Sequence, residues 1–269
     1  MPSQRIVTFL SDFGSRDTFV GQMKGSALAV CPELTLVDLT HEVPPHDVAA
    51  GSYLLWTAYR AFPPGTIHVA VVDPGVGTSR RGVVVRTERH TFVAPDNGLL
   101  TRVLDEEPAG SAFVLEASHY RRASTSFTFD GRDAFAPAAA WIARGTEPHH
   151  FGPPAGELAM LDLRRPAVRP GVPARVRVLV VDRFGNATLD VPRHALEPLL
   201  AAGAPAPRIA VETPGGTVSE MVRTYGDGAA GRPFLLFNSA DHLEIALREA
   251  RADDVLGLAP GDEVAVTVG

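Results

Sequence analysis

IHVAVVDPGVG, residues 67–77, decides the architecture. Ile67–Val72 is a mostly apolar run, interrupted by His68 alone and rich in β-branched residues, too short for a helix and typical of a strand buried on both faces. It stops abruptly at Asp73, Pro74 and Gly75, a turn-forming cluster. Working upstream, Arg5–Leu10 is a run of the same kind that ends in Ser11, Asp12, Phe13 and Gly14. Between them lie a helix-period segment at Phe19–Val30, a second apolar run at Leu34–Leu39, and a helical stretch at Val48–Phe62 halted by Pro63, Pro64 and Gly65. Downstream, Val83–Arg86 and Thr91–Val93 predict a hairpin, Phe113–Leu115 a strand, and Arg132–Arg144 a helix. Strands alternating with helices predict an N-terminal α/β domain with a mostly parallel central sheet covered on both faces.

The pattern changes at Arg164–Pro173, where three prolines and a glycine stand among arginines, a composition suited to a linker. Beyond it come Val176–Val181, Ala187–Val191, Arg208–Thr213, Phe234–Phe237, Leu243–Ala246 and Val264–Val268, spaced by Gly, Pro and Asp turns. These predict a small C-terminal antiparallel β-barrel, with helical character confined to Ala195–Ala202 and restricted there by Pro198. The expected domains are residues 1–166 and 174–269.

Across 269 residues, 45% hydrophobic and 21% charged, the composition is that of a chain able to bury a sizeable core. A net charge of -6 without a basic run argues against nucleic acid or an anionic membrane as the main partner and leaves small molecules. The single cysteine, Cys31, excludes an internal disulfide and any multi-cysteine metal site. Met1–Leu10 is too short and interrupted for a signal peptide, and no window approaches the ~18 apolar residues of a membrane span, so a cytoplasmic location is expected.

Asp12 and Asp73 each follow a buried strand, where an open parallel sheet places its ligand. Each can accept ribose hydroxyls or orient a water, and each can equally cap a helix or start a turn. Arg80 stands close enough to Asp73 to pair with it across DPGVGTSR, as part of a site or as a surface ion pair. That segment lacks the lysine and spacing of a P-loop. Asp130 or Gly131 is expected at a helix N-terminus, facing a ligand or merely capping. Asp182, Phe184 and Asn186 combine an acid, an aromatic and an amide in five residues, a grip for an amine and a flat ring or simply a hairpin turn. His41 and His46, beside Pro44 and Pro45, read as turn residues, and no histidine spacing supports zinc.

Eight collinear blocks carry a resemblance: SDFG (11–14), FVGQMKG (19–25), DLTHEVPPHDVAAG (38–51), VVDPGVGTSR (71–80), APDNGLLT (94–101), DGRDAFAPAAA (130–140), DRFGN (182–186) and NSADHLEIA (238–246). Together the chain resembles the S-adenosyl-L-methionine (SAM) hydroxide adenosyltransferase family, related to the fluorinases and chlorinases. The resemblance implies hydrolysis of SAM to adenosine and L-methionine by attack at C5′, without metal or cofactor. It also implies a homotrimer with substrate sites between subunits. It assigns Asp12 to the ribose diol, and Asp73 and Arg80 to an Asp-Arg-His set that positions the water. Asp182 falls to the methionine amine, Asn186 and Glu244 to the adenine or its surroundings, and Phe129, Phe184 and Tyr225 to apolar walls, with Ser239 at the methionine end or the nucleoside nearby. The family's histidine before Gly-Arg-Asp is Asp130 here, the third catalytic candidate. Two carboxylates around one arginine repel, and the same negative charge disfavours a halide. Two rival readings stand beside this one. The first is a non-catalytic adenosine or SAM binding protein; the second is a magnesium-dependent phosphohydrolase using Asp12, Asp73 and Asp133.

Overall fold

The computed structural model describes residues 5–124, 126–163, 168–200 and 208–269, in two compact units, Met1–Asp162 and Leu163–Gly269. Part of the expected linker and the end of the Ala195–Ala202 stretch lie outside the described residues.

The first unit holds a six-stranded sheet: β1 (Ile6–Ser11), β2 (Thr35–Thr40), β3 (Ile67–Val71), β4 (Gly82–Arg86), β5 (Thr91–Pro95) and β6 (Ser111–Val114), ordered β2-β1-β3-β5-β4-β6. β2, β1, β3 and β5 run parallel, and β4 is antiparallel to both of its neighbours. The chain leaves β1 for β2 on one side and returns to β3 on the other. The switch in strand order therefore lies between β1 and β3, where a ligand crevice is expected.

Every residue of β1 and β3 is buried, which explains why neither shows an alternating pattern. On one face Val7, Phe9, Ile67, Val69 and Val71 pack with Met23 and Ala27 of α1 (Phe19–Val30) and with the alanines of α4 (Ala136–Ala143). α2 (Val48–Tyr59), capped by Asp47 accepting from the Ala50 amide, contacts β1 and β3 and packs with α3 (Thr101–Glu106). The helix expected over Arg132–Arg144 begins as a wide π turn, Gly131–Phe135, with the Ala136 amide reaching back to the Gly131 carbonyl. Pro137 follows in the first turn of α4 and has no N–H for the ordinary ladder, which favours the wider turn just before it.

Beneath α2 lies a buried ring cluster of Tyr59, His68, His90 and Phe92, in which His68 stacks on Phe92 at 5.1 Å and receives or donates a 2.7 Å bond at Thr8. Burial, reinforced by His90, depresses His68 from 6.5 to about 3, and burial also lowers His90. The folded state keeps these rings neutral while the unfolded chain protonates below 6.5. Stability is therefore full above that pH and falls as pH drops toward 3. Between pH 6.5 and 4.5, above the usual aspartate range, the loss should reach roughly 2 kcal/mol. Urea unfolding midpoints across that window measure it, and a flat profile would contradict the buried neutral pair.

The second unit is a seven-stranded antiparallel, nearly closed barrel, ordered β10-β9-β13-β7-β8-β12-β11. Its strands are β7 (Ala174–Val181), β8 (Ala187–Pro192), β9 (Ile209–Thr213), β10 (Gly216–Val218), β11 (Phe234–Phe237), β12 (His242–Ala246) and β13 (Glu263–Val268). β13 alternates buried and accessible residues, as a strand with one face on a core must. α5 (Arg193–Leu200) starts earlier than expected and keeps Pro198 inside it, while α6 (Ala252–Leu256) ends on left-handed Gly257.

Candidate active site

Ser11, at the end of β1, is wholly buried, and its Oγ lies 2.7 Å from Nδ1 of His41. The Nε2 of His41 lies 3.0 Å from Asp38, whose other oxygen accepts from Lys24 at 2.6 Å. The order Ser-His-Asp resembles a nucleophile relay, but a hydroxyl without solvent access cannot attack a substrate. The chain of bonds instead pins the loop after β1, helped by the Gly14 amide donating to the His41 carbonyl at 2.7 Å. His41, expected to be a turn residue, is thus a strut beneath Asp12 and Phe13.

Asp12 does not cap α1, whose N-cap is Thr18. Its Oδ2 accepts the His46 amide at 2.9 Å, and it is not among the residues lining the cavity described next. Phe13 is. A cavity of about 320 Å³ opens beside β1 and β3 and is lined by Phe13, Phe19, Gln22, Val71, Asp73, Val76, Ser126, Thr128, Phe129, Asp130, Gly131 and Arg132. Phe13, Phe19 and Phe129 meet edge to face or tilted at 5.4–5.8 Å, forming an apolar wall sized for a flat ring. Gly131 has no side chain because a Cβ there would come within 3.1 Å of Met23 Sδ and 3.2 Å of the Phe129 ring. A larger hollow, about 740 Å³, lies among Ile67, His90 and Thr91 at the amino ends of β3 and β5, the end of a parallel sheet that ligands do not favour.

Asp73 and Asp130 of the aromatic-walled cavity's lining belong to a chain of charges whose arginines, Arg80 and Arg121, line an adjoining hollow that also includes Asp130. Arg80 donates Nε to Asp73 Oδ1 at 3.0 Å and Nη2 to Asp73 Oδ2, a two-pronged grip. The same Nη2 donates to Asp130 Oδ2 at 3.0 Å, and Arg121 Nη2 donates to Asp130 Oδ1 at 2.7 Å. The side chains of Asp73 and Arg80 are only 5% and 9% exposed, so this is no surface pair. Burial pushes the Asp73 carboxyl above its ordinary value; Arg80 pulls it down, and the charge of Asp130 pushes it up again. Asp130 caps nothing with its side chain, so the capping alternative is set aside in favour of this ion chain.

In the second unit, DRFGN forms the tip of the β7–β8 hairpin. Asp182 accepts the Phe184 and Asn186 amides at 2.8 and 2.9 Å and the Asn186 side chain at 3.0 Å. Left-handed Gly185 is required there, since a Cβ would collide with Arg251 and Asp253. The tip holds Phe184 out, 75% exposed. Glu244, buried on β12, accepts from Tyr225 at 2.7 Å, Asn238 at 3.0 Å and Thr188 at 3.2 Å. Ser239 lies exposed in the turn before β12. The structure thus gathers Asp73, Arg80, Phe129, Asp130 and Gly131 in the first unit, and Asp182 with Asn186 and Glu244 with Tyr225 as separate pairs in the second. Arg121, Phe13, Phe19, Thr188 and Asn238 were not singled out from sequence as site residues. Phe13 and Phe19 lie inside blocks already quoted, whereas Arg121 lies in a segment with no pattern.

Residues 7–152 match the model of the SAM hydroxide adenosyltransferase N-terminal domain, and residues 176–265 match that of the C-terminal domain. The chain belongs to the SAM hydroxide adenosyltransferase family. Within the SAM hydroxide adenosyltransferases, the (R)-S-adenosyl-L-methionine hydrolase of Thermus thermophilus is 39% identical, covering 96% of this chain and 97% of that one. A fluorinase of Actinoplanes is 27% identical over 97% of each. An uncharacterized conserved protein of Thermotoga maritima has the same fold, with a TM-score of 0.86, 33% identity and coverage of 97% and 99%. The cavity beside β1 and β3 falls in the region that matches the family's N-terminal domain, the Asp182 and Glu244 clusters in the region that matches its C-terminal domain.

Proposed function

We propose that the protein hydrolyses SAM to adenosine and L-methionine. The observation that carries this reading is the match of both halves of the chain to one family of adenosyl-transferring domains, together with full-length kinship to SAM hydrolases. The chemistry of the cavity supports it. A water oxygen forms the new C5′–O bond as the C5′–S bond breaks, its electron pair turning the sulfonium into the neutral thioether of methionine. One water proton passes to Asp73, whose raised affinity for protons suits it to accept. Arg80 keeps Asp73 and Asp130 in place around the water, and Asp130 accepts a further hydrogen bond from it. Because the sulfonium is already a good leaving group, positioning in a partly dry pocket can supply much of the rate. A halide is disfavoured here, since among the described residues the guanidinium groups of Arg80, Arg121 and the cavity-lining Arg132 are all engaged by carboxylates.

Phe13, Phe19 and Phe129 are proposed to cover the nucleoside, Asp12 its ribose diol, and Gly131 its close approach to the π turn. Asp182 and Ser239 are assigned to the methionine end, Asn186 and Glu244 to the adenine, and Phe184 and Tyr225 to the outer walls. These second-unit roles accompany a proposed homotrimer with sites between subunits, working in the cytoplasm. No helix among the described residues is long and apolar enough to cross a membrane.

The test is incubation of purified protein with SAM and chromatography of the products. Adenosine and methionine should appear in equal amounts, at a rate that a chelator leaves within about twofold, because Arg80 and Arg121 already balance the charge of Asp73 and Asp130 that would draw a metal ion. Loss of activity on chelation would favour metal-assisted hydrolysis, and intact bound SAM would favour a binding protein.

A further inference from the structure

We infer that Arg121 is a positioning residue of the reaction centre: by donating to Asp130 it supplies the second positive charge that allows two carboxylates to face Arg80. This rests on reading Asp73, Arg80 and Asp130 as the centre of SAM hydrolysis. Charge balance carries the argument. Asp73 and Asp130 both bond the same Nη2 of Arg80, so one cation serves two anions, an arrangement that by itself drives one carboxylate to take up a proton. Arg121 completes an alternating row, Asp73, Arg80, Asp130, Arg121, whose formal charges cancel.

The other charged groups nearby are already occupied. Asp133 is held by Arg122 at 3.1 Å and Arg132 at 2.7 Å, and Arg81 is held by Asp96. Glu116 lines the same hollow as Asp130 and Arg121, but among the described residues no hydrogen bond or ion pair joins it to Arg121. Arg121 is therefore the group that bonds the outer oxygen of Asp130.

Its backbone is fixed in two places, as a preorganised donor requires. The preceding Tyr120 packs on Phe151 at 4.7 Å and on Trp141 at 5.7 Å. The following Arg122 amide donates to the Asp133 carbonyl at 2.8 Å, tying the segment to the same π turn that Asp130 precedes. A side chain one-third exposed in an ordinary surface pair would contribute little. Here its effect passes through a carboxylate 17% exposed to a reaction centre that is drier still.

The experiment compares the wild type with Arg121→Gln and Arg121→Lys in two ways. Steady-state kinetics of adenosine formation should show kcat down by about tenfold or more in Arg121→Gln, with KM changed by less than about threefold, and most of kcat restored in Arg121→Lys. Carbon-13 NMR of the Asp73 carboxyl should show its titration moving to higher pH in Arg121→Gln, because an unneutralised Asp130 then bears on it. An unchanged kcat overturns the inference. So do equal losses in both variants with Asp73 titrating as before, which describe a structural role only. If the wild type forms no adenosine, the hydrolase reading fails, and the Asp73 titration still decides Arg121: a shift upholds its role and no shift ends it.

Discussion

Arg80→Ala is expected to lower kcat for adenosine formation by about 10²–10³-fold, with the Kd for adenosine changed far less. The size follows from what the guanidinium holds. It joins two carboxylates through three hydrogen bonds and lies over the Phe135 ring with its carbon 5.5 Å from the ring centre. Without it, Asp73 loses the largest of the influences that oppose burial and the charge of Asp130. A carboxyl so placed takes a proton and can no longer accept one from water. The acid limb of the pH–rate profile should move upward, because the group must be ionised to act and its ionisation becomes harder. Arg80→Lys should recover only part of the loss, since an ammonium cannot reproduce a planar fork that grips Asp73 twice and still reaches Asp130. Stopped assays over pH 5–9 with calorimetric adenosine titration measure both quantities. A kcat within tenfold of wild type, or parallel loss of binding, would remove Arg80 from the proposed role.

How much of this could be read beforehand depended on which physical signal each part leaves in the chain. β1 and β3 were visible because a strand buried on both faces is a mostly apolar run without alternation, and the turns that end them are chemically abrupt. α3 was missed because six residues, TRVLDE, span less than two turns and show no usable period. β10, of three residues, and α6, of five, were missed for the same reason. The π turn was invisible as such: DGRDAF reads as helix, and only the effect of Pro137 on the ladder distinguishes the wider turn. In the site, Asp73 and Arg80 could be paired on paper because they share one tight loop. Asp130 is fifty residues from Arg80, and its place beside them came only through family resemblance. Arg121 had no signal at all, since an arginine in an irregular segment looks like any solvated charge until the fold shows what it touches. DRFGN kept both its readings: its hairpin geometry is plain, yet the exposed Phe184 ring it presents is also what the proposed substrate wall needs.

Asp130→His is the second large effect, and the structure reverses the sign that sequence alone suggests. By resemblance, histidine is the residue of this position in the family, so the change looks restorative. In this molecule Asp130 accepts from two guanidinium groups, one on each oxygen. A neutral imidazole has a single acceptor nitrogen and can satisfy one of them. A protonated imidazole has none and adds a third positive charge between Arg80 and Arg121. Either way a charge-assisted hydrogen bond of about 1.5–3 kcal/mol is lost on at least one side, and Arg80 is free to shift away from Asp73. The expected outcome is a kcat lower by about tenfold to a hundredfold. The double variant Asp130→His with Arg121→Gln removes the stranded cation and should regain most of that loss, so that two changes harmful singly become compatible together. Measuring kcat for the wild type, the two single variants and the pair completes the cycle. A single Asp130→His variant faster than wild type would show that Asp130 is a defect in the centre rather than a member of it. Strictly additive losses in the pair would show that Arg121 and residue 130 act independently, against the bond that joins them.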